Sequence, residues 1–254
     1  MPTQRTPLQF RRLPYLPSEE ARRNRLLASL PESVWHEWRP SLEFVEVPLG
    51  TVLYEPGDPL HYVYFPATCA IALMHVLADG ASAQIAVVGN EGLLGVPGFM
   101  SGGISRTRSQ VQSGGIAARL PPELVAAEFE RGGVVMQLLL RHTQALIAQM
   151  SQIAVCNRHH TPEQQICRWL LLSLDRVEGA EVHATHELIA SMLGVRRETV
   201  TEAARKLQAR NMIQSRRGHI QVLDRAALER TACECYGAIQ QEYARLLPLA
   251  GDAG

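Results

Sequence analysis

Apolar residues come in short runs over the first half of the chain and at helical intervals over the second. Within 42–120 the runs cover 44–47, 52–54, 62–65, 70–77, 83–88, 109–111 and 116–120. Turn formers separate them, among them Gly50, Pro56-Gly57-Asp58, Asp79-Gly80 and Gly114-Gly115. Many short strands at even spacing predict an antiparallel sandwich or jelly-roll barrel. Ahead of it, 18–30 reads as one helix and 31–38 as a shorter one, after a basic arm over 1–17 that reads as loose.

Beyond residue 121 the period lengthens. A short helix is predicted over 121–129 and a long one from Gly133. Met136, Leu139, Thr143, Leu146, Met150, Ile153 and Asn157 step alternately by three and four, a coiled-coil seam of about three heptads. Arg141 is the one acidic or basic residue between Gly133 and Asn157. A helix so poor in charge is expected to be covered on two sides. The seam would meet a second copy of the chain, with Asn157 setting register, and Leu140, Ile147 and Ala154 would meet the barrel. A buried helix of a monomer is the competing reading. Thr161 then caps a further helix that opens at Pro162 and turns Ile166, Trp169, Leu170 and Leu174 inward. A last amphipathic helix is predicted over 224–247, with Leu228, Tyr236, Ile239, Tyr243 and Leu246 on its apolar side.

The stretch 185–217 carries the sharpest pattern. Leu188, Ile189, Met192 and Leu193 give one helix an apolar face, and Gly194 supplies the tight turn. The next helix buries Val200, Ala204 and Leu207 and exposes Arg197, Glu198, Thr201, Glu202, Arg205 and Gln208. Ser215-Arg216-Arg217-Gly218-His219, between Met212-Ile213 and Ile220-Gln221-Val222, reads as a hairpin tip. This reads as a helix-turn-helix followed by a basic wing, with an anchored inner face and an outer face of groups that reach into a DNA groove. A solvated amphipathic helix pair of some other α-helical domain is the competing reading.

Charge agrees with that reading. The chain balances 25 basic against 25 acidic residues, yet 196–217 holds seven cations and two anions. Neutralising phosphates needs such a local excess. Lys206 is the one lysine, which excludes P-loop and Schiff-base chemistry elsewhere. The stretch 59–78 lacks Asp, Glu, Lys and Arg, but its prolines, histidines and β-prone Tyr62-Val63-Tyr64-Phe65 predict buried strands rather than a membrane helix. The N-terminus has no apolar leader segment, and five cysteines fit a reducing cytoplasm. Cys233-x-Cys235, and Cys156 near His159 and His160, lack paired zinc spacing and read as buried or idle thiols. No metal is indicated.

One interval breaks the barrel's rhythm. Gly89, Gly92, Gly95 and Gly98 recur every third residue, with Arg106 and Arg108 beyond them. A glycine bend followed by arginines can cradle an anion. An insert covering a barrel mouth is an equal reading.

A barrel, a long helix and a winged helix-turn-helix, in that order, resemble the Crp/Fnr family of bacterial transcription regulators over nearly the whole chain. The likeness is sharpest at Gly194-Val195-Arg196-Arg197-Glu198-Thr199-Val200 and is seen again at Leu49-Gly50-Thr51-Val52-Leu53-Tyr54-Glu55-Pro56-Gly57-Asp58. It implies an α+β chain: an arm (1–17), a sensor β-barrel like the cyclic-nucleotide-binding domain (18–130), a dimerisation helix (131–160) and a winged helix-turn-helix (161–254). It implies a cytoplasmic homodimer, not an enzyme, that binds near-palindromic double-stranded DNA and works with RNA polymerase. By resemblance Arg197 and Glu198 read bases and Arg196 contacts phosphate; Thr199, Thr201, Arg205, Arg216 and Arg217 complete the expected DNA face. Glu202 departs from the arginine that well-known members carry there, so the operator is not transferable.

The sensor half departs further. Cyclic-nucleotide-binding members hold the ribose with a glutamate after a glycine and the phosphate with an arginine before a serine. Here Gly95 is followed by Val96, Glu91 fits only with a shifted register, and Arg106-Thr107 or Arg108-Ser109 stand in for the clamp. Weak or absent cyclic AMP binding is therefore expected, at an effector site of Gly95, Val96, Arg106, Thr107, Arg108 and Ser109. No cysteine precedes Cys69, against an N-terminal iron–sulfur cluster, and nothing marks His61, His75 or Cys69 as a haem ligand. Two alternatives stand: a phosphate-handling enzyme built on the 89–98 bend with Arg106 and Arg108, and a constitutive regulator whose barrel only scaffolds the dimer.

Overall fold

The computed structural model describes residues 8–13, 18–177 and 179–247. Seven strands, β1 (Glu43–Val47), β2 (Val52–Tyr54), β3 (Val63–Pro66), β4 (Ala70–Val76), β5 (Ser82–Val88), β6 (Arg108–Ser113) and β7 (Gly115–Leu120), form two antiparallel sheets. Their orders are β1-β7-β3 and β2-β6-β4-β5. Val45, Val47, Leu53, Tyr64, Ile71, Val88, Val111 and Ala117 fill the space between them, so the short apolar runs read along the chain become one shared core. The 59–78 stretch supplies β3 and β4, and no helix among the described residues is long and apolar enough to cross a membrane.

Two expectations about the N-terminal part need correction. Over 8–13 the arm is not loose: Leu13 N–H donates to Phe44 O at 3.0 Å, Glu46 N–H donates to Arg11 O at 3.2 Å, and Arg12 pairs with Glu43 at 2.8 Å. It extends the sheet beside β1; the rest of the arm, 1–7 and 14–17, lies outside the described residues. The helix expected over 18–30 is instead two short ones, α1 (Ser18–Ala21) and α2 (Arg25–Ala28). The break is at Asn24, which is fully buried. Its Oδ1 accepts from Leu27 N at 3.1 Å, capping α2, while its Nδ2 donates to Pro66 O at 2.9 Å and Gly92 O at 2.8 Å. An asparagine that satisfies three backbone groups is worth more as a cap than inside a helix.

After α3 (Glu32–Trp38) the chain passes through the barrel, with a short α4 (Pro97–Met100) between β5 and β6, to α5 (Pro122–Arg131) and the long α6 (Gly133–His159). Val135, Leu139, His142, Leu146, Gln149, Ile153 and Cys156 form the side of α6 buried against the protein's own body. Met136, Thr143, Met150 and Asn157 are half-buried, and Leu140, Ile147 and Ala154 are exposed. The two flanks expected from the sequence are therefore partly exchanged. Leu139, Leu146 and Ile153, expected on a seam with a second copy, are core residues, and Leu140, Ile147 and Ala154, expected against the barrel, face outward. The cause is chemical: positions 139–140, 146–147 and 153–154 are all paired apolar residues, while the inward line is interrupted by polar His142 and Gln149. Gln149 is buried because it is satisfied, accepting from Val87 N at 2.6 Å and donating to Tyr243 OH at 3.1 Å.

The C-terminal part contains α7 (Pro162–Leu174), β8 (Glu181–Val182), α8 (His186–Leu193), α9 (Arg197–Ala209), β9 (Ile213–Arg216), β10 (His219–Val222), α10 (Arg225–Thr231) and α11 (Glu234–Leu246). Thr161 caps α7, as expected, and Gln164 completes a capping box with it. The helix expected over 224–247 is divided: Asp224 caps α10, two extended residues follow at Ala232 and Cys233, and α11 then runs back along α6. The helical unit is docked on the barrel. Ser191 Oγ lies 2.8 Å from Ser82 Oγ, Trp169 Nε1 donates to Gln84 Oε1 at 2.9 Å, and Arg176 Nε donates to Glu91 Oε1 at 2.8 Å in a buried ion pair.

Candidate nucleic-acid interface and effector cavity

α8 and α9 are set against each other by a shared apolar core of Ile189, Leu193, Val200, Ala204 and Leu207 with Ile166 and Leu170 of α7. Gly194, in the left-handed region at φ 67°, makes the turn between them. The outer side of α9 is polar along its length. Arg196, Arg197, Glu198, Thr201, Glu202, Arg205 and Lys206 are exposed, and Thr199 is half-buried. α7, α8 and α10 each have a side chain that caps the N-terminus, but α9 has Arg196 at that position and no cap bond. The helix thus starts with no side chain on its first N–H groups and with an exposed arginine at the cap position, an arrangement suited to an anion.

Beside α9, β9 and β10 pair in register from Ile213–Val222 to Arg216–His219, with exposed Arg216 and Arg217 at the tip. His186 joins the parts: its Nδ1 is 3.1 Å from Thr201 Oγ1 and its Nε2 is 3.1 Å from Ser215 Oγ. Thr201 Oγ1 already donates to Arg197 O at 3.0 Å, so Nδ1 carries the proton that it receives. Burial, and then the nearby Arg197, hold the His186 ring below its ordinary value and keep it neutral at pH 7. Thr201, expected from the sequence on the DNA face, is thereby also a strut between α9 and the wing. The ion pair of Arg197 with Glu187 (3.9 Å) is exposed and easily exchanged for phosphate, whereas Lys206 is held at 2.8 Å by Glu163 of α7 as well as at 3.5 Å by Glu202.

The second candidate site is a cavity of about 230 Å³ between the barrel, the α4 loop and α6. Gly95, Val96, Arg106, Thr107 and Ser109 line it, together with Leu60, Leu73 and, from α6, Thr143, Leu146, Ile147 and Met150. Five of the six residues expected at an effector site are thus brought together. Arg108 is not: its Nε and Nη2 both lie 2.9 Å from the Glu55 carboxylate, outside the cavity. That bidentate pair removes it as a phosphate clamp, and sequence spacing gave no sign of a partner 53 residues away. Glu91 is excluded as a ribose ligand because it is committed to Arg176 and to Gly89 N–H at 3.1 Å. The cavity lining contains no carboxylate, and Arg106 is its one cation.

The glycine bend serves packing rather than an anion. A Cβ at Gly92 would overlap the buried His142 ring, and one at Gly89 would collide with Arg176. His142 Nε2 lies 2.9 Å from Leu93 O, Nδ1 has no partner among the described residues, and burial pushes the ring's pKa down to about 4. Sequence reading also missed an association of Cys156, His160, Cys233 and Cys235, whose donor atoms meet where α6 ends and α11 begins.

Residues 164–231 match the Crp-like helix-turn-helix domain family. No curated protein matches the chain in sequence. Among solved structures, a putative transcriptional regulator of the Crp/Fnr family from Eubacterium rectale superposes with a TM-score of 0.63 at 16% identity, over 81% of this chain and 96% of its own. FixK2 from Bradyrhizobium japonicum gives 0.62 at 17%, over 76% and 98%. A Crp/Fnr-family transcriptional regulator from Thermus thermophilus gives 0.58 at 23%, over 75% and 98%. At these identities the likeness establishes the fold.

Proposed function

With a Crp-like helix-turn-helix domain in a Crp/Fnr regulator fold as the premise, we propose that the chain is a homodimeric, sequence-specific DNA-binding regulator whose barrel senses a small effector. The observation that carries this reading is α9 itself: apolar residues anchor one side, and the other exposes a row of hydrogen-bonding and cationic groups with an uncapped N-terminus. Arg197 is suited to bidentate contact with guanine and Glu198 to accept from cytosine. Arg196, Arg216 and Arg217 would bind phosphate, and Arg205 and Thr199 would border the groove.

Dimerisation would use the outward line of α6, Met136, Leu140, Thr143, Ile147, Met150, Ala154 and Asn157, which steps alternately by four and three. Leu140 and Ile147 are 41% and 51% exposed, an unusual cost for a helix with no second copy against it. Two α9 helices would then occupy successive major grooves about 34 Å apart. Thr143, Ile147 and Met150 belong to both this line and the cavity wall, so an occupant of the cavity touches the residues that set the dimer. That shared wall favours a sensor over a barrel that is only a scaffold. With no carboxylate for a ribose and Arg108 held by Glu55, cyclic AMP would bind weakly or not at all. A phosphate-handling enzyme loses its support for the same reason. A cytoplasmic setting and contact with RNA polymerase follow from the regulator reading.

The decisive test is selection of bound duplexes from random DNA by the purified chain. The expected outcome is a near-palindromic site with half-sites one helical turn apart, bound by two chains. A monomer that shifts no duplex at low salt would refute the proposal.

A further inference from the structure

Four soft metal-binding side chains, distant in sequence, meet where the long helix gives way to the C-terminal helix. Cys156 lies in the last turn of α6, His160 follows as its C-cap, Cys233 is the N-cap of α11, and Cys235 is in its first turn. One ligand atom from each lies within 4.8 Å of all the others. Cys156 Sγ is 3.4 Å from Cys233 Sγ, and Cys235 Sγ is 3.4 Å from His160 Nδ1. With zinc–sulfur bonds near 2.3 Å and zinc–nitrogen bonds near 2.0–2.1 Å, a tetrahedral site has donor separations of roughly 3.5–3.8 Å. The two measured edges differ from that by a few tenths of an ångström.

We propose that Cys156, His160, Cys233 and Cys235 form a structural Zn²⁺ site that fastens the joint between α6 and α11. The surroundings are those of a metal site as well as the donors. His160 Nε2 lies 3.3 Å from Glu234 Oε2, so the far ring nitrogen donates to a carboxylate and leaves Nδ1 as the ligand. Gln152 Nε2 donates to Cys235 Sγ at 3.1 Å, and Arg168 Nε donates to Cys156 Sγ at 3.2 Å. Arg168 is 3% exposed, and among the described residues no carboxylate forms an ion pair with it. Three thiolates around one Zn²⁺ carry a net charge of minus one, which that buried guanidinium balances. Binding forms three Zn–S bonds and one Zn–N bond, sends the thiol protons to solvent and releases the ion's water; nothing is oxidised. A disulfide between Cys156 and Cys233 would leave Cys235, His160 and the charge of Arg168 without a role.

The spacing Cys-x3-His…Cys-x-Cys does not signal this, because Cys156 and Cys233 are 77 residues apart and α11 must fold back along α6 before they meet. Such a fastening holds the hinge after α6 rigid, since α7 begins at Pro162, two residues past His160.

The test uses the full chain, purified under reducing conditions from zinc-supplemented cells, with elemental analysis. The expected result is one zinc per chain, lost in Cys156→Ser and Cys235→Ser and kept in Cys69→Ser, whose thiol is buried inside the barrel. Co²⁺ in place of zinc should give the visible bands of a tetrahedral thiolate site. Glu234→Gln changes an exposed side chain, so it should fold normally yet surrender zinc to a chelator about 10–100-fold more readily. The proposal is overturned by reduced wild-type protein that takes up neither Zn²⁺ nor Co²⁺, by zinc content unchanged in both serine variants, or by a stoichiometric Cys156–Cys233 disulfide in protein never exposed to oxidant. Should the serine variants fail to fold, the Co²⁺ titration of the wild type and the Glu234→Gln chain still decide.

Discussion

Helices α9 and α6 both combine a buried side with an outward side, and they differ in what the outward side is made of. On α9 it is arginine, glutamate and threonine, so polarity alone separates inside from outside. On α6 the outward line is mostly leucine, isoleucine, methionine and alanine, with Thr143 and Asn157 among them, and the inward line includes histidine and glutamine. A surface meant for water or nucleic acid advertises itself in the sequence; one meant for another apolar surface looks like core. The hydrophobic pattern therefore identifies the buried face only where the other face stays wet.

The largest expected effect tests which line of α6 is core. Leu146→Ala removes a buried side chain and should lower unfolding stability by about 2–5 kcal/mol. Ile147→Ala, one residue on, should leave the isolated protomer within about 0.5 kcal/mol of the parent and instead weaken its self-association. Chemical denaturation, with sedimentation at two concentrations, checks both. If the two variants behave alike, the assignment of faces fails.

The second test concerns the histidine on the inward line. His142 is neutral when folded, its pKa pushed down to about 4 by burial, and ordinary at about 6.5 when unfolded. Below pH 6.5 the unfolded chain binds a proton that the folded chain refuses, so stability is full above about 6.5 and falls as pH drops toward 4. The loss over that window is roughly 3 kcal/mol. His142→Leu should show a shallower fall when melting temperatures are compared across it; an unchanged slope would mean that the ring is not held neutral inside.

These contrasts also explain what was legible beforehand. The helix-turn-helix was readable because Val200, Ala204 and Leu207 fall on one side and every charge on the other. The strands were readable to within two residues at their ends because β-prone runs and turn residues alternate. Asn24 was not, because its role depends on Pro66 O and Gly92 O, which reach it only through the barrel. Arg108 reads from sequence as a free cation, and its pairing with Glu55 exists only once β2 and β6 are neighbours. The Cys156, His160, Cys233 and Cys235 group is the extreme case, assembled wholly by tertiary folding.

The smallest effects separate roles within the wet face itself. Arg197→Ala should cost about 1–3 kcal/mol on the selected site and relax preference at one base position. Arg216→Ala, at the wing tip, should weaken all duplexes alike and by less, because a phosphate carries no sequence information. Its signature is in salt: with one phosphate fewer neutralised, the slope of log affinity against log salt should fall by about 0.9. Titrating selected and scrambled duplexes at several salt concentrations measures both quantities together. Parallel losses on both duplexes for Arg197→Ala, or a sequence-dependent loss for Arg216→Ala, would mean that helix and wing do not divide the work as α9's uncapped start and the two-arginine tip imply.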